Sequence, residues 1–170
     1  MNSVVIYGSH FGNTRKVAEA IAAELASAGP VQLLAADEAP AILAQGTDLL
    51  VIGGPIEAFR MTAPVSHLLA RLEPQSVSGV AAAAFDTRVG PHWWLPGSAG
   101  GGIAKRLEHL GAHVIARPEA FIVAGSVNEA KGQVPALVPG ELERAGAWAA
   151  SLAAAVQAGS PMPVHIQSPA

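Results

Sequence analysis

The seven residues Gly8-Ser9-His10-Phe11-Gly12-Asn13-Thr14 gather two hydroxyls, a carboxamide, an imidazole and two glycines. They stand between an apolar run, Ser3-Val4-Val5-Ile6-Tyr7, and a helical pattern that starts at Arg15. A turn of this composition at the start of a helix can hold an anion. Helix N-termini present unpaired N–H groups and a partial positive charge, glycine lets the backbone wrap closely, and Ser9, Asn13 and Thr14 add donors of their own. The Gly-Lys-Ser/Thr ending of a nucleoside-triphosphate loop is absent, and Gly8 and Gly12 are too far apart for a dinucleotide fingerprint. Capping of the helix by Ser9 or Asn13 is an alternative use of the same residues. His10 is either a further donor or an exposed loop histidine.

Other constellations are weaker. His109 and His113 have the i, i+4 spacing of a helical metal pair, but Gly111 between them should end the helix. Ser98 precedes three glycines without the Gly-x-Ser-x-Gly elbow of a nucleophile, and reads as a helix cap. Asp48 and Asp86 border strand ends, yet no acidic pair follows the first strand to bind magnesium for an aspartyl phosphate.

The elements that must position these groups follow from hydrophobic period. Residues 3–7, 31–34, 48–52 and 79–85 read as strands, with a fifth over 113–116 and 120–124 interrupted at Arg117-Pro118. Helices are expected from about Arg15 to Ala28, over Ala39–Gln45, from Pro64 to Leu72, from Ser98 to Leu110, and over Glu141–Val156. Gly53-Gly54-Pro55 reads as the end of the third strand. Strands apolar on both faces and alternating with helices imply a parallel sheet covered on both sides. In such a sheet ligands bind beyond the carboxyl ends of the strands, so three loops compete for a site: Gly8–Asn13, Gly53–Ala63 and Asp86–Gly97.

Composition bounds the function. The chain has 170 residues, 51% of them hydrophobic, which suffices for one buried core. A formal net charge of −3 with 14% charged residues gives no field for nucleic acid or an anionic membrane. With no cysteine there is neither disulfide nor thiolate chemistry. No apolar run approaches the roughly 20 residues of a membrane span, and a cytoplasmic location is expected.

The first loop resembles the phosphate-binding loop of the flavodoxin family, Ser/Thr-x-Thr-Gly-x-Thr, through Ser9, Gly12, Asn13 and Thr14. The resemblance continues through DLLVIGGPIEAFRMTAP and AAAAFDTRVGPHWWLPGSAGGGIAKRLEHLG to the final ELERAGAWAASLAAA. It implies a doubly wound three-layer α/β domain over residues 1–158, with a five-stranded parallel sheet of order 2-1-3-4-5 and a proline-containing tail at 159–170. It also implies flavin mononucleotide (FMN), its phosphate in the first loop and its ring between the second and third. The implied contacts are Ser9, His10, Phe11, Gly12, Asn13 and Thr14 for the phosphate loop. Pro55, Ile56, Glu57, Ala58 and Phe59 come from the second loop, and Asp86, Thr87, Arg88, Gly90 and Trp93 from the third. Phe59 could equally pin its own loop, and Arg88 could form a surface ion pair with Glu57 or Asp86.

Two departures matter. Phe11 replaces the loop's middle hydroxyl, removing a charge-assisted bond worth roughly 1.5–3 kcal/mol. The second loop has no glycine over Ile56-Glu57-Ala58-Phe59, so a peptide flip there would cost about 1–2 kcal/mol and half-reduced flavin should be less stable than in a dedicated one-electron carrier. The resemblance thus implies an electron-transfer protein serving redox partner proteins, as a monomer or weak homodimer. The rivals are an NAD(P)H-dependent reductase of a small quinone-like substrate and a flavin-free binding module.

Overall fold

The computed structural model describes residues 1–57, 60–90, 99–125 and 134–159. Its sheet starts from β1 (Ser3–Tyr7), whose β-branched residues bury both faces. Parallel partners flank it: β2 (Val31–Ala35) on one side and β3 (Leu49–Glu57) on the other. Next come β5 (Ala81–Val89), parallel to β3, and β7 (Glu119–Ala124), parallel to β5. These five long strands lie in the expected 2-1-3-4-5 order. Three short ones are additions: β4 (Arg60–Met61) folds back on β3, β6 (His113–Val114) pairs with the start of β5, and β8 (Ala136–Leu137) runs antiparallel to β7 at the edge.

Period-two alternation sends Val4, Ile6, Leu50 and Ile52 to one face, under α2 (Ala63–Arg71) and α4 (Ala99–His109). Val5, Leu49, Val51 and Phe85 face α1 (Asn13–Leu25) and α5 (Glu141–Gln157). Both faces are buried, as unbroken apolar strands require. A single turn, α3 (Pro74–Val77), follows α2. Gly111, at φ 90°, closes α4 where the sequence placed its end, and His113 falls in β6 beyond it. On α4 itself, the His109 Nδ1–H donates to the Lys105 carbonyl at 2.6 Å.

Three expectations are corrected. Gly53-Gly54-Pro55 does not end β3; it continues, pairing Gly53 with Phe85, Gly54 with Asp86 and Pro55 with Thr87. The glycine serves close approach, since a Cβ on Gly53 would sit 2.2 Å from the Phe85 ring. Nor does a loop begin at Asp86: the strand runs on to Val89 because β7 pairs with it from Phe85 onward. Ala39–Gln45 forms turns rather than a helix. Its backbone is satisfied from outside, with Arg71 Nη2 donating to the carbonyls of Ala36 (3.0 Å) and Ala39 (2.6 Å) and the Glu73 N–H donating to Ala41. Ala39 and Leu43 still reach the core.

Candidate functional site

The first loop leaves β1 with the Gly8 N–H donating to the Gly53 carbonyl at 2.9 Å. A side chain at Gly8 would strike Val65 of α2 at 2.6 Å, so only glycine lets the loop pass this close to that helix. Gly12, at φ 82°, then turns the chain into α1 and contributes no side-chain cap. Ser9 partly fills that role, its Oγ accepting from the Arg15 N–H at 3.4 Å. The first-turn N–H groups lie beyond the reach of intrahelical acceptors, as at any helix start.

Asn13 and Thr14 are turned inward. Asn13 is buried and its Nδ2 donates to the Pro135 carbonyl at 2.8 Å. Thr14 is buried too, and its hydroxyl shares a 2.8 Å hydrogen bond with that of Thr87 on β5. Two of the three side-chain donors read from the sequence as anion ligands, Asn13 and Thr14, thus have partners within the protein. The remaining loop residues separate two hollows.

The first hollow, about 320 Å³, lies over the carboxyl ends of the strands. Phe11, Pro55, Ile56, Val89 and Val123 supply its apolar lining, with Thr87 and Arg88 at the end of β5. The second, about 380 Å³, lies across the loop beside the starts of α1 and α2, and is bounded by Ser9, Gly12, Arg15, Asp37 and Pro64. His10 borders both.

Arg88 reaches the first hollow as half of a largely buried pair, not a surface one. Its Nε and Nη2 donate to the two carboxylate oxygens of Asp86 at 2.7 and 2.6 Å. Asp86 is completely buried, and its Oδ2 also accepts from the Gly100 N–H at 3.0 Å, capping α4 from 14 residues away. The pair presents a neutralised guanidinium to the cleft, and Asp86 lies beneath the wall rather than in it. Gly90, at φ 74°, turns the chain after β5.

The structure therefore brings His10, Phe11, Asn13, Thr14, Pro55, Ile56, Thr87 and Arg88 together around one cleft. Ser9 and Gly12 face the other hollow. Glu57 ends β3, paired through its backbone with Arg60. Ala58, Phe59 and Trp93 lie outside the described residues, as do Ser98, residues 126–133 and residues 160–170. Val123, Gly125 and Pro135 line the cleft without having been singled out. The rule that ligands sit beyond strand carboxyl ends points to Val123 at the end of β7; Pro135 has no local signal at all.

A family model described as a flavodoxin domain matches residues 4–75. No curated protein matches the sequence. Among solved structures, a flavodoxin from the domain Archaea is 20% identical, with a TM-score of 0.72 over 92% of this chain and 99% of its own. Oxidised flavodoxin 2 from Bacillus cereus is 18% identical, with a TM-score of 0.72 over 91% of this chain and 99% of its own. A flavodoxin, WrbA-like protein from Agrobacterium tumefaciens is 17% identical, with a TM-score of 0.67 over 92% and 98%. At such identities the structural likeness speaks for the fold, and the family match covers the first loop, β3 and α2. The flavodoxin-domain match over residues 4–75 and these structural likenesses together give the chain a flavodoxin fold.

Proposed function

We propose that this protein binds FMN at the first loop and adjoining cleft and carries electrons between other redox proteins. The observation that supports this most directly is the apolar cleft of about 320 Å³ at the switch between β1 and β3, beside the N-terminus of a 13-residue helix. A small-molecule site has this size, this place in an open α/β sheet, and this mix of apolar walls with few polar groups. The residues fit the group. Pro55, Ile56 and Val89 offer apolar surface for a ring, while the Ser9 hydroxyl and the backbone N–H groups at the start of α1 offer donors for a phosphate monoester.

When bound, the flavin supplies the redox chemistry, accepting and releasing electrons with their protons. The chain's own part is grip and environment. With Asn13 and Thr14 engaged elsewhere, anion binding falls to backbone N–H groups, Ser9 and the field of α1. Arg88, held by Asp86, keeps a polar edge in an otherwise apolar wall without bringing in net charge. The mild charge of −3 leaves weak steering toward partner proteins.

The engagement of Asn13 and Thr14 also favours a second reading, a flavodoxin fold that binds partners without flavin. One experiment decides between them: the visible spectrum of the purified full chain, followed through titration with FMN. Saturable binding with a perturbed flavin spectrum is the outcome expected for the carrier, and a colourless protein that ignores added FMN leaves the module. Steady-state oxidation of NAD(P)H by the flavin-loaded chain, with a quinone as acceptor, would instead make it a reductase.

A further inference from the structure

Phe11 is costly where it stands. It is 43% exposed in a tight loop, belongs to neither core cluster, and lines the apolar cleft opposite the residues of β3 and β5. Its ring is held edge-on against His10, with centroids 4.5 Å apart and planes at 70°. Two of the same loop's polar side chains already hold partners within the cleft wall, Asn13 the Pro135 carbonyl and Thr14 the Thr87 hydroxyl. The loop therefore brings an aromatic face to the cleft where a hydroxyl would have served a phosphate.

We propose that Phe11 is a specificity-determining wall of the ring site, so that the loop grips the flavin's ring as well as its phosphate. This rests on the cleft being the flavin site. A phenyl group gains from a planar heteroaromatic neighbour by offset or edge contact and by shared exclusion of water, and that gain is indifferent to a phosphate at the far end of the ligand. A hydroxyl in its place would contribute to FMN and nothing to riboflavin. Phe11 thus adds equally to both affinities, and the preference for the phosphorylated form is narrower than a hydroxyl at this position would make it.

The test titrates the full chain with FMN and with riboflavin, following quenching of flavin fluorescence, for wild type, Phe11→Ala and Phe11→Tyr. Phe11→Ala should weaken both flavins by the same factor, about tenfold, and leave bound flavin brighter. Phe11→Tyr should hold both near wild type. Because the side chain is half exposed, far-ultraviolet circular dichroism and Tm should not move in either variant. Riboflavin affinity unchanged in Phe11→Ala overturns the assignment, whether or not FMN weakens, because Phe11 would then act at the phosphate or not at all. Wild-type protein that binds neither flavin overturns the reading of the cleft as well; wild-type binding with unaltered variants overturns the role of Phe11 alone.

Discussion

The two hollows on either side of the first loop are similar in size and opposite in character. The one over the strand ends is walled by Phe11, Pro55, Ile56, Val89 and Val123, and its polar neighbours are already paired: Thr14 with Thr87, Asn13 with Pro135, Arg88 with Asp86. The one beside the helix starts is lined by Ser9, Asp37 and Arg15, the last an exposed residue whose guanidinium pairs with Glu19 on its own helix at 2.8 Å. That bond holds the Arg15 guanidinium above its ordinary range. A ligand with an apolar ring and a charged end finds one environment on each side of a single turn. The lesson is that the loop's polar residues do not all serve a ligand; two of them hold the apolar side together.

The contrast can be broken from its foundation. Asp86→Ala removes the buried carboxylate that pairs with partly buried Arg88 and caps α4, and should destabilise the fold by about 2–4 kcal/mol, read from urea denaturation. On the polar side, Gly8→Ala forces a methyl into Val65 and should cost about 1–3 kcal/mol by the same measurement. Thr14→Val leaves the Thr87 hydroxyl buried without its partner, for about 1–2 kcal/mol.

Two smaller effects sharpen the comparison. The β7 wall of the apolar cleft is tied to α5 by Glu141, whose Oε2 accepts from the Ile122 N–H at 2.6 Å and from Arg144, itself bonded to Glu119 and stacked over Phe121. Burial alone would raise the Glu141 carboxyl, but the Arg144 guanidinium and the Ile122 N–H outweigh it and hold it below its ordinary 4.5. A depressed carboxylate stabilises the fold above that value and loses its contribution as pH falls through the lower folded one. Glu141→Gln should therefore cost about 1 kcal/mol at neutral pH, and thermal melts should show the difference vanish in acid. Smallest is Arg15→Glu, which should weaken FMN about two- to fivefold and leave riboflavin alone in parallel titrations. Equal losses for both flavins would mean that the polar hollow does not face the phosphate.

The fold was legible because burial leaves a period. Val4 and Ile6 against Val5, or Leu50 and Ile52 against Leu49 and Val51, show apolar side chains going both ways, and only a sheet covered twice can bury them. Reading glycine as punctuation failed at Gly53 and Gly54, where the missing side chain makes room for Phe85 and Val65 and the strand carries on. The predicted helix over Ala39–Gln45 failed for a related reason: the Ala39 carbonyl finds Arg71, 32 residues away, and the Ala36 carbonyl just before the segment finds it too, which no local pattern reports. At the site, the first loop and the ends of β3 and β5 were legible from their position after strands; Val123 and Pro135 arrive through pairing at the far edge of the sheet.

By itself, then, the order of residues determined strands apolar on both faces, the helices alternating with them and the glycine-containing turn between the first strand and helix, since each depends on neighbours within a few positions. Only the tertiary structure decided which donors in that turn remain free. Asn13 meets Pro135 across 122 residues and Thr14 meets Thr87 across 73. Which partner a side chain meets depends on which chain segments the packed sheet brings within 3 Å of each other.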